Sequence, residues 1–338
     1  MSEKGLTQAT GVTESLSFRS LMQMREFMLA IIVIVVFITL SITAPHFLNW
    51  QNLRTLLSSM SIDGIIVIGM TILLISGGFD LSVGSVMALS MIVTATLFRN
   101  YGINPWISGI IALGVSAVVG WVIGMLVTKV KLTHFIVTLC MMGIARGLVM
   151  TIAGGTNISL VSQIASVPSY QFLGTGALFG LPIQVVIFLV LAIVADFFVR
   201  RSKIMRVVFY TGSNRKAAEY SGIRASRVVI GASIVCSVCA GIAGVMYLSR
   251  FAGVPLTAGV GLEMAAISAC VIGGASLTGG KGSILGSVLG LAFMALVTNA
   301  MIMFGVRAHS QELVRFSILL AAVALDQIQQ NMAQKRAQ

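Results

Sequence analysis

A series of long apolar runs constrains this chain most, because several of them reach the roughly 20 residues needed to cross the hydrocarbon core of a bilayer. Apolar residues make up 57% of the 338 residues and charged residues only 9%. We therefore predict an all-α, polytopic integral membrane protein with about ten transmembrane helices, some joined by tight Gly-rich hairpins. The ten predicted spans are roughly 27–44, 60–77, 82–98, 105–128, 132–153, 181–199, 228–249, 262–276, 283–304 and 312–328.

The distribution of basic residues predicts the orientation of these spans. The segment 200–227 is the only long hydrophilic stretch between spans, and it holds eight of the 22 basic residues against one acid, Glu219. With the N-terminus inside, 16 basic residues outside the spans face the cytoplasm and four face the other side, as the positive-inside rule requires. We expect a cytoplasmic tail over 1–26, a permease domain over 27–328 with a cytoplasmic loop at 200–227, and a cytoplasmic tail over 329–338. The first apolar run is longer than that of a signal peptide and is expected to stay as an anchor.

Within the basic loop, the pattern from Asn214 to Ser221 predicts a short helix. Asn214 is a good N-cap, Ala217 and Ala218 favour helix, and Gly222 is suited to close the C-terminal end. A short cytoplasmic helix in a membrane protein offers a surface that a soluble partner can bind.

Two Gly-rich stretches resemble each other at a spacing of 196 residues, 77–84 and 273–280. We interpret them as hairpins of a decayed internal repeat, of the kind that membrane transporters use to build two related halves. Chance similarity stays an alternative, because membrane segments are rich in glycine. The hairpin residues that carry the prediction are Gly78, Asp80, Ser82, Gly84, Gly273, Gly274, Gly279 and Gly280. After them, Gly282, Gly286 and Gly290 form a G-x-x-x-G-x-x-x-G pattern that predicts close helix packing.

Residue patterns for catalysis, metals and nucleotides do not assemble in this sequence. Gly280-Lys281 fails the phosphate-loop pattern at Ala275 and at Gly282. The three histidines are far apart, no nucleophile triad is suggested, and the C-x-x-C spacing of Cys236 and Cys239 lies in an apolar run where packing is the ordinary role. We therefore predict no catalytic, cofactor or metal site. The basic residues at span ends set orientation, which makes nucleic acid a poor ligand.

Few ionisable residues lie in or near the spans, and we give them structural or interfacial roles first. Arg146 is the deepest, with a functional role open. None of the carboxylates is clearly central, which argues that the energy for transport comes from outside the chain. The ionisable residues concerned are Asp63, Asp80, Arg146, Asp196, Glu263, Arg315 and Asp326.

Three ordered segments resemble the membrane permease subunits of bacterial ABC sugar importers of the ribose type: 78–84, 212–223 and 272–283. The resemblance covers nearly the whole chain. It implies an inner-membrane permease that pairs with a second permease copy or sibling, docks cytosolic ABC ATPases that use the ATP, and receives a monosaccharide or polyol from a periplasmic binding protein. Phe79 and the run 211–213 depart from common family forms. By the same resemblance, the residues that couple to the ATPase would be Asn214, Ala217, Ala218, Glu219, Ser221 and Gly222.

Two other function classes stay open at this point. A stand-alone secondary transporter driven by an ion gradient is the first alternative, and reconstitution of the chain alone would reveal it. A membrane enzyme is the second, although the residues for its chemistry are not evident.

Overall fold

The computed structural model describes residues 25–337, except for the side chains of residues 25, 308–309, 325–326 and 328–337. The predicted tail 1–26 therefore lies almost wholly outside the described residues, as do the side chains of the predicted tail 329–338 and of Asp326. The helices are α1 (Arg25–Thr43), α2 (Trp50–Ile75), α3 (Val83–Tyr101), α4 (Pro105–Thr128), α5 (His134–Ala153), α6 (Val161–Ala165), α7 (Pro168–Thr175), α8 (Ile183–Arg201), α9 (Lys203–Ser213), α10 (Arg215–Tyr220), α11 (Ala225–Phe251), α12 (Leu262–Ile272), α13 (Ile284–Met303) and α14 (Ala308–Ala337). The strands are β1 (Ile158–Ser159), β2 (Ala177–Leu178), β3 (Leu181–Pro182) and β4 (Gly253–Val254).

Eight of the described helices are long and apolar enough to cross a membrane: α1, α2, α3, α4, α5, α8, α11 and α13. The all-α, polytopic fold class is confirmed, but the predicted count of ten is too high by this criterion. The predicted span 262–276 contains α12, whose 11 residues reach only about 16 Å, against about 30 Å of hydrocarbon. The predicted span 312–328 lies within α14, where Glu312, Arg315 and Asp326 interrupt the apolar run.

Helices α2 and α11 form the centre of the bundle and run antiparallel. Most of α2 is buried, and an added Cβ at its Gly69 would overlap the backbone of Cys236 on α11. On the other side of α11, Gly120 and Gly124 of α4 pack against the backbone of α11 in the same way. Small residues thus allow close backbone approach, which is how helices associate where lipid removes the hydrophobic drive.

Outward faces of the surrounding helices are apolar. Large apolar side chains are exposed along α1, α4, α5 and α8, including Ile34, Ile110, Ile144 and Ile193. In water such a surface would be an aggregation liability, whereas in a bilayer it faces lipid.

The two ends of the bundle differ, and we name them by their contents. The strand end carries β1 paired with β4, β2 paired with β3, and the short helices α6 and α7. Tyr170 of α7 is buried there, and its hydroxyl donates to the carbonyl oxygen of Val245 at 3.0 Å. Burial raises the pKa of Tyr170, so its phenol stays neutral and holds this layer on α11. The hairpin end carries the C-terminus of α2, both Gly-rich hairpins, α9 and α10.

Helix α9 is an element that the sequence pattern did not predict. It begins at the N-cap Ser202, whose hydroxyl accepts from the Ile204 N–H, and it buries Met205 and Val208 while Lys203 and Arg206 stay exposed. This amphipathic helix therefore joins the membrane-spanning α8 to the exposed α10.

Candidate functional site

The predicted short helix in the basic loop is present as α10. The Asn214 side chain accepts from the Ala217 N–H at 3.0 Å, which is the predicted N-cap. At the other end Gly222 has φ 81°, and the Ile223 N–H donates to the Ala218 carbonyl, 3.0 Å away. This left-handed glycine closes the helix as predicted, because residues with a Cβ rarely adopt that conformation.

One face of α10 is available to a partner. Ala218 is buried toward the bundle, whereas Ala217, Glu219 and Ser221 are exposed. Tyr220, which sequence reasoning missed, is 90% exposed on the same helix. A protruding aromatic ring is typical of residues that anchor protein interfaces, and its position after a predicted N-cap and two alanines could have drawn attention to it.

Behind α10, three parts of the chain meet through their backbones at a site that we call the glycine junction: Ile75, Gly77, Gly212, Gly279 and Gly280. The Gly280 N–H donates to the Ile75 carbonyl oxygen at 2.9 Å. An added Cβ at Gly212 would overlap that same oxygen, and one at Gly279 would lie 2.7 Å from the Gly77 Cα. The junction therefore ties the end of α9 to both hairpins without any intervening side chain.

The two hairpins begin with the same hydrogen-bond pattern. In the first, Gly77 donates to Leu74 and Gly78 to Leu73; in the second, the equivalent bonds run from Gly274 to Val271 and from Ala275 to Cys270. Both are Schellman motifs, with left-handed glycines at Gly77 (φ 88°) and Gly274 (φ 90°).

Local geometry therefore supports the predicted repeat but corrects its alignment. Gly77 corresponds to Gly274 and not to Gly273, which is a right-handed C-cap residue. The link between the helices is also longer in the second hairpin, with 11 residues (273–283) against seven (76–82). Consequently Ser82 corresponds to Ser283 as the residue preceding the next helix, and not to Thr278.

Asp80 organises the first hairpin from inside. Its side chain is fully buried, and Oδ1 accepts from the Ser82 N–H at 2.7 Å and from the Ser82 hydroxyl at 2.6 Å, just before α3 begins. A carboxylate at a helix N-terminus also interacts favourably with the helix dipole. Asp80 is thus a structural anchor for the start of α3.

The first hairpin also contacts α5 and the segment before α12. The His134 ring occupies the space where a Cβ on Gly78 would lie, and the Gly259 carbonyl oxygen occupies that space at Gly84. The two hairpins meet at Gly77 and Gly279, whereas Gly78 and Gly84 contact α5 and the segment before α12, and the spacing of these residues did not reveal any of these contacts.

Two of the three glycines predicted to form a packing face on the ninth span lie close to the backbone of another part of the chain. An added Cβ at Gly290 would overlap the carbonyl oxygen of Ala269 on α12, and one at Gly286 would overlap that of Gly273, the residue that caps α12. Gly282, in contrast, precedes α13, and an added Cβ there would lie 3.0 Å from the Ile75 side chain at the end of α2 and 3.3 Å from the Ala275 side chain in the second hairpin. Its φ of 156° is one that side chains rarely adopt, so Gly282 belongs to the turn and not to the helix face.

A polar cavity of about 350 Å³ lies among α2, α3, α11, α12, α13 and α14, toward the strand end. Its charged lining residues are Asp63 and Arg315, and the charges of Arg315 and Arg250 both act on the Asp63 carboxylate. Hydroxyl and amide groups complete the polar lining. These are Thr55, Ser59, Tyr247, Thr298 and Asn299.

One wall of the cavity is formed by the segment Gly259 to Leu262, which contacts Gly84. The first hairpin therefore links the glycine junction at one end to the cavity at the other. Sequence reasoning missed the cavity, because its residues come from helices that are far apart in the chain.

Other residues considered from the sequence have structural roles in the described part of the chain. The Arg146 guanidinium donates to the Leu256 carbonyl oxygen at 2.9 Å, tying α5 to the segment before α12. The four cysteines are unpaired thiols. Groups of three or more His, Cys, Asp or Glu side chains at metal-binding distance do not occur among the residues described.

The sequence of this chain also matches a known protein family. Residues 52–323 match the family described as the branched-chain amino acid transport system / permease component. The chain belongs to this family. It is thus a multi-pass permease component of a transport system, and the predicted resemblance to ABC importer permeases is confirmed.

Individual relatives are also named as permeases, and they match this chain over most of their length. The chain is 31% identical over 306 residues to the ribose import permease protein RbsC of Escherichia coli (strain K12), covering 90% of this chain and 94% of the relative. It is 36% identical over 311 residues to the L-arabinose ABC transporter permease protein AraH of Azospirillum brasilense, covering 91% and 89%. It is 31% identical over 301 residues to the D-allose transport system permease protein AlsC of E. coli (strain K12), covering 88% and 90%. Among solved structures, none matches this chain.

These relatives favour the ABC sugar-importer interpretation over a stand-alone secondary transporter. They are transport permeases by name, and the prediction that this chain lacks enzymatic activity and a cofactor of its own stays a prediction.

Proposed function

We propose that the chain is the translocation subunit of an ATP-driven importer that carries a monosaccharide or a related polyol across the bacterial inner membrane. The observation that carries the proposal is the glycine junction, because it ties the end of α9, which leads into the exposed helix α10, to both hairpins. A push on α10 would reach α2, α3 and the segment before α12 through rigid backbone contacts.

In this proposal α10 is the contact for a cytosolic ABC ATPase, with Tyr220 and Ala217 on the bound face. The hairpin end would face the cytoplasm, together with both termini, as the positive-inside bias over 200–227 favours. A periplasmic binding protein would deliver substrate at the strand end, and a second permease, identical or related, would complete the pathway.

The polar cavity is suited to a sugar. Neutral hydroxyl-rich molecules bind through many hydrogen bonds, and the cavity offers carboxylate, guanidinium, amide and hydroxyl partners around a small volume. Its contact with the first hairpin gives a route by which movement at α10 would change the cavity. Ribose, arabinose and allose in the names of the relatives indicate the substrate class, and a transport pathway needs only weak contacts with each substrate.

The decisive experiment separates an ATP-driven importer from a carrier that works alone. The chain is purified from its native membrane with an affinity tag, co-purifying proteins are identified, and the assembly is reconstituted in proteoliposomes. We expect an ABC ATPase to co-purify, and we expect uptake of labelled ribose or arabinose that requires ATP and stops with vanadate. Uptake by the chain alone under an ion gradient would overturn the proposal.

A variant of α10 tests the coupling helix itself. Ala217→Trp places a large ring on the exposed face without disturbing the buried Ala218, so we expect ATP-driven uptake to fall while the amount of folded protein in the membrane is unchanged. Gly114→Trp, at an exposed position in the middle of α4 with open space around it, is the control and should transport normally. Normal uptake by Ala217→Trp would show that α10 does not couple the ATPase to transport.

A cysteine at Lys216 tests the orientation. A membrane-impermeant thiol reagent applied to intact spheroplasts should not label it, and labelling would place the hairpin end in the periplasm.

A further inference from the structure

A second cavity, on the opposite side of α2 from the polar one, has the properties of a lipid site. It is a groove of about 610 Å³ between α2, α8, α9 and α11, lined by Ile68, Leu191, Phe198 and Ile204 among other apolar residues. Its only charged lining residue in the described structure is Arg227, at the start of α11.

The groove opens toward the surrounding medium at the level of the membrane. Val194, Phe198 and Ile204 in its wall are 59%, 42% and 66% exposed, which is costly in water but not in hydrocarbon. Along α11 its lining runs from Arg227 to Ile242, about 22 Å at the helical rise. That length exceeds the roughly 15 Å depth of one leaflet of hydrocarbon.

Charge is concentrated at one end of this groove. Arg227 is exposed, and it has no ion pair among the described side chains, unlike Arg200, which contacts Asp196 and Glu26. Lys203 precedes the lining residue Ile204 on the amphipathic helix α9 and is exposed as well. The apolar groove suits the acyl chain of an anionic lipid, and the unpaired cations at one end of the groove suit its headgroup.

We propose that this groove binds one acyl chain of an anionic phospholipid from the leaflet at the hairpin end, with the phosphate held by Arg227. The site adjoins α9, whose Gly212 belongs to the glycine junction, so lipid in the groove would support the position of the helix that leads to α10. The inference depends only on the membrane location of the chain and not on the transported substrate.

Two variants address the two parts of the lipid. Arg227→Gln removes the charge, and Arg224→Gln is its matched control, an exposed arginine three residues earlier that does not line the groove. Gly231→Phe fills the groove, because an added Cβ at Gly231 meets open space there. Gly114→Phe is its matched control, on a surface of α4 that is equally open.

The full-length chain is purified in detergent, checked for a monodisperse elution profile, and examined by native mass spectrometry with added phosphatidylglycerol or phosphatidylcholine. We expect the wild type and both controls to retain phosphatidylglycerol preferentially. Arg227→Gln should lower that retention about fivefold, which corresponds to about 1 kcal/mol for one basic side chain near an anionic surface. Gly231→Phe should lower retention of both lipids.

Three results would overturn the proposal. Equal retention of the two lipids by the wild type would show that the groove does not recognise an anionic headgroup. Competition by glycerol 3-phosphate, which lacks acyl chains, would make it a simple anion site. Loss of a dimer in Gly231→Phe with unchanged lipid retention would make the groove a contact between two copies of the chain.

Discussion

Replacing Gly212 with alanine is the sharpest test of the glycine junction. The new methyl group would overlap the Ile75 carbonyl oxygen, and its carbon would lie 2.7 Å from the Gly280 nitrogen. Those two atoms are themselves hydrogen-bonded at 2.9 Å. Gly212 is not among the glycines with positive φ, so backbone strain is not part of the cost. The whole effect comes from forcing two backbones apart.

The expected change in the free energy of unfolding for Gly212→Ala is a sum of opposing contributions. Overpacking costs about 1–3 kcal/mol, and weakening the hydrogen bond between Gly280 and Ile75 adds about 0.5–1.5 kcal/mol. Alanine favours helix over glycine by up to about 1 kcal/mol, which acts in the other direction. We therefore expect Gly212→Ala to destabilise the protein by about 0.5–3.5 kcal/mol.

Gly231→Ala is the matched control for this variant. It also places alanine in a helix, but its Cβ meets open space, so only the favourable propensity should remain. Thermal unfolding of both purified variants, followed by the loss of monodisperse protein, gives the comparison. Gly212→Ala should unfold several degrees below the wild type, and Gly231→Ala at or above it.

Function gives a second measurement on the same pair. In the reconstituted importer, Gly212→Ala should lower the amount of substrate moved for each ATP hydrolysed, because the path from α10 to the hairpins is disturbed. Equal stability and equal transport in Gly212→Ala and Gly231→Ala would refute the argument that the junction is tightly packed and transmits movement.

Three further predictions test other contacts. Asp80→Ala should destabilise the protein by about 1–3 kcal/mol through loss of its two hydrogen bonds with Ser82 just before α3, and Asp80→Asn by less because an acceptor oxygen remains, as thermal unfolding would show. Asp63→Leu should lower sugar uptake by at least about tenfold, since a hydrogen bond to a charged group contributes about 1.5–3 kcal/mol, and unchanged membrane levels would locate the effect in transport. Gly286→Leu should prevent α13 from packing on α12 and lower the yield of folded protein, measured by size-exclusion chromatography, whereas Gly114→Leu should not.

Each of these has an outcome that contradicts its reasoning. Melting of both Asp80 variants at the wild-type temperature would show that the hydrogen bonds between Asp80 and Ser82 contribute little to stability. Uptake at the wild-type rate in Asp63→Leu would place the transport path elsewhere. A normal folded yield for Gly286→Leu would mean that α12 and α13 tolerate separation.

Local signals in the sequence predicted the local structure well. The apolar runs locate the eight long helices, and the boundaries of α4 agree with the predicted 105–128. The Asn214 cap and the Gly222 turn were also predictable, because each depends on a hydrogen bond within a few residues. Helix α9 was not predicted, since its apolar face is interleaved with basic residues in a segment interpreted as a loop.

Contacts between distant residues were not predictable in the same way. Ile75, Gly212 and Gly280 are separated by more than a hundred residues or by several helices, and glycine has no side chain whose chemistry would indicate a partner. The predicted alignment of the repeat was wrong by one residue at Gly77 and by five at Ser82, because matching glycines dominated the comparison, whereas hydrogen bonds decide which glycine becomes left-handed. The polar cavity depends likewise on tertiary packing.

The glycine junction also has a consequence for biogenesis. The three backbone segments that form the junction are synthesised at different times. The hydrogen bond from the Gly280 N–H to the Ile75 carbonyl oxygen can form only after residue 280 has been made. Nascent chains that stop short of residue 280 should therefore hold the region around Gly212 loosely, and limited proteolysis of such truncated, membrane-inserted chains would detect it. The second hairpin, which is synthesised late, thus completes the packing of a subunit whose first half entered the bilayer earlier.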